Sequence, residues 1–144
     1  YTDNQGNKKP LWLASYGIGL TRLLGTLVEV FNDDKGIIWP KSVAPYNAHL
    51  VLLHSENEKV KHFADKVYEH LQKEGIEVLY DDRASVTAGE KFAEADIIGL
   101  PFRAVIGPKT LAKGTAYVEF KKRQEMKVTY VKMSSLLKLL KNAQ

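Results

Sequence analysis

From His49 onward, short apolar runs alternate with capped segments of helical period, and this alternation constrains the fold more than any other feature of the chain. His49–Leu53, Ile76–Tyr80 and Phe102–Gly107 read as strands. Between the first two, Ser55 with Glu58 forms a capping box, and Val60, Phe63, Ala64, Val67 and Leu71 share one face at a period near 3.6 residues. Gly75 follows, where helices commonly end in the left-handed region. Thr87 with Glu90 opens a second helix, which closes at Gly99-Leu100-Pro101. Tyr117–Lys121 and Lys127–Val131 form a further strand pair, and Ser134 or Ser135 caps a last helix through Leu136, Leu137, Leu139 and Leu140. A βαβαβ order implies parallel strands joined by right-handed crossovers. The expected fold is therefore α/β, with a mixed, mostly parallel five-stranded sheet flanked by helices.

The first third of the chain follows another pattern. Leu11 to Ser15 reads as a short strand entering a turn built on Gly17 and Gly19. The helix after it carries Leu20, Leu23, Leu24, Leu27, Val28 and Phe31 as one stripe, with Arg22, Thr26, Glu29 and Asp33 on the other face. Gly25 in mid-helix costs roughly 1 kcal/mol relative to Ala, so a close packing contact is expected there. Pro40 and Pro45 bracket a linker, and the domain boundary is expected near residue 45, dividing the chain into 1–44 and 45–144.

Hydrophobic residues make up 44% of the 144 and charged residues 26%, which suits a packed core with a soluble surface. No run approaches the roughly 18 apolar residues of a membrane helix, and residues 1–10 are polar rather than signal-like. There is no cysteine, so disulfides and thiolate zinc sites are excluded, and a cytoplasmic location is expected. Charge is unevenly spread. Residues 56–97 hold 6 Lys/Arg against 11 Asp/Glu, and residues 98–144 hold 10 against 2. A basic C-terminal half suits a phosphate-backbone partner, and equally a solvated basic surface.

Several residues carry possible chemistry. Gly17 and Gly19 let a backbone approach a ligand closely, and a helix N-terminus favours negative charge. The planar guanidinium of Arg22 can stack on a base or bond phosphate oxygens; otherwise it is a surface arginine facing Glu29. Asp81 and Asp82 follow a strand, where carboxylates often cap a turn, and Phe92 has core spacing with Ala95. Lys121-Lys122-Arg123 is a short basic run on a strand end. His49, His54, His62 and His70 show no metal-ligand spacing, and no metal site is expected.

The string Tyr16-Gly17-Ile18-Gly19-Leu20-Thr21-Arg22 resembles motif 3 of the class II aminoacyl-tRNA synthetases. With Asp34-Lys35-Gly36-Ile37-Ile38-Trp39-Pro40 and Ala44-Pro45 after it, the resemblance narrows to the bacterial-type prolyl-tRNA synthetases. Tyr80-Asp81-Asp82-Arg83, the run from Gly89-Glu90-Lys91-Phe92 to Gly99-Leu100-Pro101, and Val118-Glu119-Phe120-Lys121-Lys122-Arg123 resemble their anticodon-binding domain. The chain departs from the family in Ser15, where a Cys is usual, and in the Ala84–Gly89 loop, which lacks the Arg-Pro-Gly of many members. It ends at Gln144 without a zinc-binding C-terminal module, which fits the bacterial type.

The resemblance implies residues 1–44 as the end of an antiparallel catalytic domain, a strand–helix remnant, and residues 45–144 as the anticodon-binding domain. The intact enzyme would activate proline with ATP and Mg²⁺ to prolyl-adenylate, then transfer proline to its tRNA, tRNA(Pro). Gly17, Gly19 and Arg22 would bind ATP, with Arg22 catalytic. Asp82, Arg83, Lys91, Phe92, Lys109, Glu119 and Lys121 would contact the anticodon, whose guanines suit bidentate Arg, Lys or carboxylate partners. The intact enzyme would be a homodimer; the fragment would be inactive, bind no cofactor and stand as a monomer. The competing readings are a non-catalytic tRNA-binding module or accessory subunit, and a threonyl-, histidyl- or glycyl-tRNA synthetase. Against the latter stand Gly36–Pro40 and Asp81-Asp82-Arg83.

Overall fold

The computed structural model describes residues 1–113 and 117–141. Helix α1 (Leu20–Val30) leads into a two-stranded antiparallel hairpin, β1 (Asn32–Asp33) and β2 (Gly36–Ile37). Then come β3 (Ala48–Leu52), α2 (Glu58–Lys73), β4 (Val78–Asp81), α3 (Ala88–Ile98) and β5 (Phe102–Ile106). The short α4 (Pro108–Ala112), β6 (Tyr117–Lys122), β7 (Val128–Lys132) and α5 (Met133–Lys141) complete the order.

The five-stranded sheet has the order β4-β3-β5-β6-β7. β3 pairs in parallel with both β4 and β5, while β6 runs antiparallel to β5 and β7. Four strands thus share one direction, and β6 alone opposes them. Alternation sorts the side chains. Ala48, Leu50, Leu52, Phe102, Ala104, Ile106, Val118 and Phe120 form one buried cluster with Val60, Ala64, Val67 and Leu71 of α2 and Leu136 and Leu140 of α5. The opposite sheet face carries His49, Arg103 and Lys121 and is covered by α3, whose Asp96 bonds Arg103 at 3.2 Å.

The hairpin is fastened to α3 by backbone contact that only glycine permits. Gly99 ends α3 at φ +74°, and a Cβ there would lie 1.8 Å from the Ile37 carbonyl oxygen. Gly36 has φ +146°, and its Cβ would lie 2.4 Å from Ile97 Cα. Asp33 accepts two bonds from the Arg123 guanidinium at 2.7 and 2.9 Å, and the Trp39 indole donates to Ile98 O at 2.9 Å.

Several local expectations change. Leu11–Ser15 is not a strand; its backbone has no strand beside it among the described residues, and Leu11, Trp12 and Leu13 are exposed. α2 is capped by Asn57 rather than by Ser55, because His54 turns the chain at φ +56° and delays the helix start. Asn57 Oδ1 accepts from Lys59 N and Val60 N. α5 begins at Met133, directly after β7, so Ser134 and Ser135 lie inside its first turn. A Cβ on Gly25 would meet nothing within 4 Å, so no packing contact requires that glycine. The Thr87–Glu90 capping box forms as expected.

Candidate nucleic-acid interface

In a sheet where neighbouring crossovers leave in opposite directions, a crevice opens at the carboxyl ends of the strands. Here β3 lies between β4 and β5, and two open clefts of about 270 and 430 Å³ lie at that edge. The first is walled by the turn after β3, by Arg83–Ala88 and by Lys91. The second is walled by Phe92, Val105, the Gly107–Thr110 turn and Glu119. Leu53, His54 and Ala88 border both.

At the first cleft, charge is balanced within a compact cluster. Asp81, the last residue of β4, accepts from Arg83 Nε at 2.9 Å and Arg83 Nη2 at 2.8 Å. Arg83 Nη2 also bonds Glu94, and Arg83 Nη1 has no partner among the described residues. The Arg83 guanidinium holds the Asp81 carboxyl at about 2, below its ordinary value, against the opposing effect of burial. The same two carboxylates raise Arg83 further. Lys91 Nζ is enclosed, donating to Leu52 O at 2.7 Å and Asp81 O at 3.4 Å, with Asp81 Oδ1 at 3.6 Å.

The remaining expected readers scatter. Phe92 is half-buried, with the Arg103 guanidinium 4.8 Å from its ring centre, and it lines the second cleft with Lys109 and Glu119. Glu119 is bonded weakly by the Tyr130 hydroxyl at 3.4 Å. Asp82 is exposed beside Arg83. Lys121 pairs with Arg103 across the ladder and lines neither cleft; burial beside Arg103 lowers its pKa. His54, passed over in the sequence, borders both clefts with a 3.0 Å bond to Glu56. Its positive φ is uncommon outside glycine and marks a constrained turn. No sequence pattern announces it: histidine is enriched among non-glycine residues at positive φ, but such residues are uncommon and one histidine after a strand does not specify the turn.

Residues 17, 19 and 22 stand far from this edge in sequence and belong to the α1 segment. Gly17 and Gly19 have ordinary backbone angles, and a Cβ at Gly17 would meet nothing within 4 Å. Arg22 is exposed and has no ion pair among the described residues, so the alternative pairing with Glu29 is not formed. Among the described residues no group of three His, Asp or Glu side chains could hold a metal ion.

The family described as "Anticodon binding domain" matches residues 43–143. The chain belongs to the anticodon-binding domain family. Curated relatives extend the similarity across the α1 segment. The proline–tRNA ligase of Thermoanaerobacter sp. (strain X514) is 43% identical over 142 residues, 99% of this chain and 24% of the relative. That of Bacillus subtilis (strain 168) is 43% identical over 94% of this chain and 23% of the relative. A crystal structure of prolyl-tRNA synthetase from Cryptosporidium parvum, complexed with L-proline and AMP, superposes at a TM-score of 0.73. It is 27% identical and covers 85% of this chain and 27% of that one. The chain thus spans about a quarter of the length of its curated relatives. Within the described residues, no helix of this anticodon-binding domain is long and apolar enough to cross a membrane.

Proposed function

We propose that this chain is part of a proline–tRNA ligase and that its α/β unit reads the proline anticodon. The observation that carries the reading is 43% identity to proline–tRNA ligases across 99% of the chain. In the intact enzyme, proline and ATP form prolyl-adenylate and pyrophosphate, and proline then passes to tRNA(Pro). Arg22, exposed and unpaired among the described residues, supports an ATP contact, where a fixed guanidinium stabilises charge developing on the departing pyrophosphate. Gly17 leaves the space beside the chain open for that contact, and a Cβ at Gly19 would lie 3.7 Å from Arg22 Cβ. Mg²⁺, a homodimer and a cytoplasmic location are read from the family resemblance alone, and no residue here is assigned to the metal.

At the clefts, Arg83 offers an Nη1 without a partner among the described residues, next in sequence to the exposed Asp82, and Glu119 offers a carboxylate able to accept from the N1 and N2 edge of guanine. Phe92 supplies an apolar wall, and Lys109 a cation at the rim. Lys121, away from the clefts, is left as a phosphate contact. Because Arg83 is neutralised by Asp81 and Glu94, it suits a base edge better than a phosphate.

Binding of the chain to a tRNA(Pro) anticodon stem-loop, and to versions with the guanines replaced, tests the reading at two salt concentrations. Weakening confined to the guanine replacements is expected. Equal, steeply salt-dependent binding to every stem-loop would sink it. For Arg22, the Arg22→Ala intact enzyme is expected to lose ATP–pyrophosphate exchange, and unchanged exchange would remove the role.

A further inference from the structure

Lys91 lies at the edge of the first cleft but faces inward. Its side chain is 3% exposed. An ammonium has three N–H groups, and three acceptors surround this one: Leu52 O at 2.7 Å, Asp81 O at 3.4 Å and Asp81 Oδ1 at 3.6 Å. Its two hydrogen bonds go to backbone carbonyls and its charge faces the Asp81 carboxylate, so the ammonium is directed at the strand ends. Leu52 and Asp81 are the last residues of β3 and β4, so the ammonium ties together two strand ends where the sheet ladder stops.

The Asp81 carboxylate is equally enclosed, at 5% exposure, and a buried charge persists only when it is paired and hydrogen-bonded. Lys91 supplies a cation from inside the fold. From outside, Arg83 Nε and Nη2 bind the two carboxylate oxygens as a fork, and the Arg83 backbone N–H adds a 3.2 Å bond to Oδ1. That fork fixes the plane of the guanidinium, with Nη1 left over. We propose that Lys91 is a positioning residue of the cleft, which holds Asp81, and through it the Arg83 guanidinium, in a geometry that discriminates guanine without touching RNA itself. The inference rests on the anticodon-reading function above.

Two measurements test it. In the first, the wild-type chain is reductively methylated with and without the tRNA(Pro) anticodon stem-loop, and modified lysines are located by mass spectrometry. Lys91 is expected to resist in both samples while exposed Lys109 reacts in the free chain. Methylation of Lys91 in the free chain, with protection only by RNA, would overturn the proposal. In the second, Lys91→Met, Arg83→Ala and the double variant are compared for discrimination between the stem-loop and its guanine-substituted forms. A guanine-reading guanidinium contributes about 5- to 150-fold. Lys91→Met is expected to lose most of what Arg83→Ala loses, the double variant no more than Arg83→Ala, and the salt slope to stay unchanged. Additive losses, or a salt slope reduced by about one, would mean that Lys91 contacts RNA directly and would end the positioning role. Should Lys91→Met not fold, the methylation result decides alone. A wild-type chain without guanine dependence would remove the anticodon reading before any substitution is made, and the positioning role would fall with it even if Lys91 resists methylation.

Discussion

Helices α1 and α2 both carry an apolar stripe at helical spacing, yet Val60, Ala64, Val67 and Leu71 of α2 are at most 1% exposed, whereas Leu20, Leu23 and Leu24 of α1 are 78%, 44% and 51% exposed. The stripe says how a helix is oriented toward a partner; only the partner makes it core. For α2 the partner is the face of β3, β4 and β5. For α1 the described residues offer none, and none of its residues is buried. An isolated helix of 11 residues is marginal in water, so α1 draws little stability from its own sequence, while α2 is held by the sheet.

The largest effect that could break this contrast is in the core. Leu71→Ala is expected to destabilise the chain by about 3 kcal/mol in denaturant titrations, because a buried leucine leaves a cavity. Equal losses for Leu71→Ala and Leu24→Ala would mean that α1 is packed after all. Next comes the clasp between the two regions. Gly99→Ala must place a Cβ on the Ile37 carbonyl and hold a left-handed residue, costing at least about 1–2 kcal/mol for the backbone alone. In a Trp12→Phe background the Trp39 emission should shift to the red as the hairpin lifts, and an unshifted spectrum would show that the hairpin holds without that contact.

Acid tests the cleft side of the comparison. The Asp81 carboxyl is lowered to about 2 in the fold from an ordinary 3.8, so the contribution is present above pH 4 and is lost as pH falls through the folded value. About 2 kcal/mol should disappear between pH 4 and pH 2, and Asp81→Asn should flatten that part of the profile. The smallest effect is expected in α1. Leu24→Ala should change stability by less than about 0.5 kcal/mol, and α1 amides should exchange with solvent far faster than those of α2.

How far the sequence reaches follows the same division. The βαβαβ order, the Thr87–Glu90 cap and the Gly99 terminus depend on local spacing and could be read directly. What depended on distant partners could not. Leu11–Ser15 has strand composition but no neighbour to pair with, and Ser55 has capping chemistry but lies inside a turn set by His54. The β1–β2 hairpin is short, and its place against α3 is visible only once Gly36 and Gly99 meet backbone. At the site, Arg83, Phe92, Lys109 and Glu119 line the clefts with Asp82 exposed next to Arg83; only Asp82 and Arg83 follow a strand end directly, whereas Phe92 lies in α3, Lys109 in α4 and Glu119 in β6. Lys91 reads as an anticodon contact because lysine is almost never enclosed; its burial depends on acceptors from two strands separated from it by 39 and 10 residues.

The strand order β4-β3-β5-β6-β7 leaves β4 and β7 as the margins of the sheet. β4 is only four residues long and ends in Asp81 followed by Asp82, while β7 is flanked by Lys127 and closes on Lys132. Short margins and lysines at the ends are how sheets avoid recruiting a strand from another molecule. Lys127 and Lys132 put like charge at the two ends of β7, so pairing this margin with the same margin of another copy meets repulsion. Substitutions that trade Lys127 and Lys132 for apolar residues would remove that protection and turn the β7 margin into a template for aggregation.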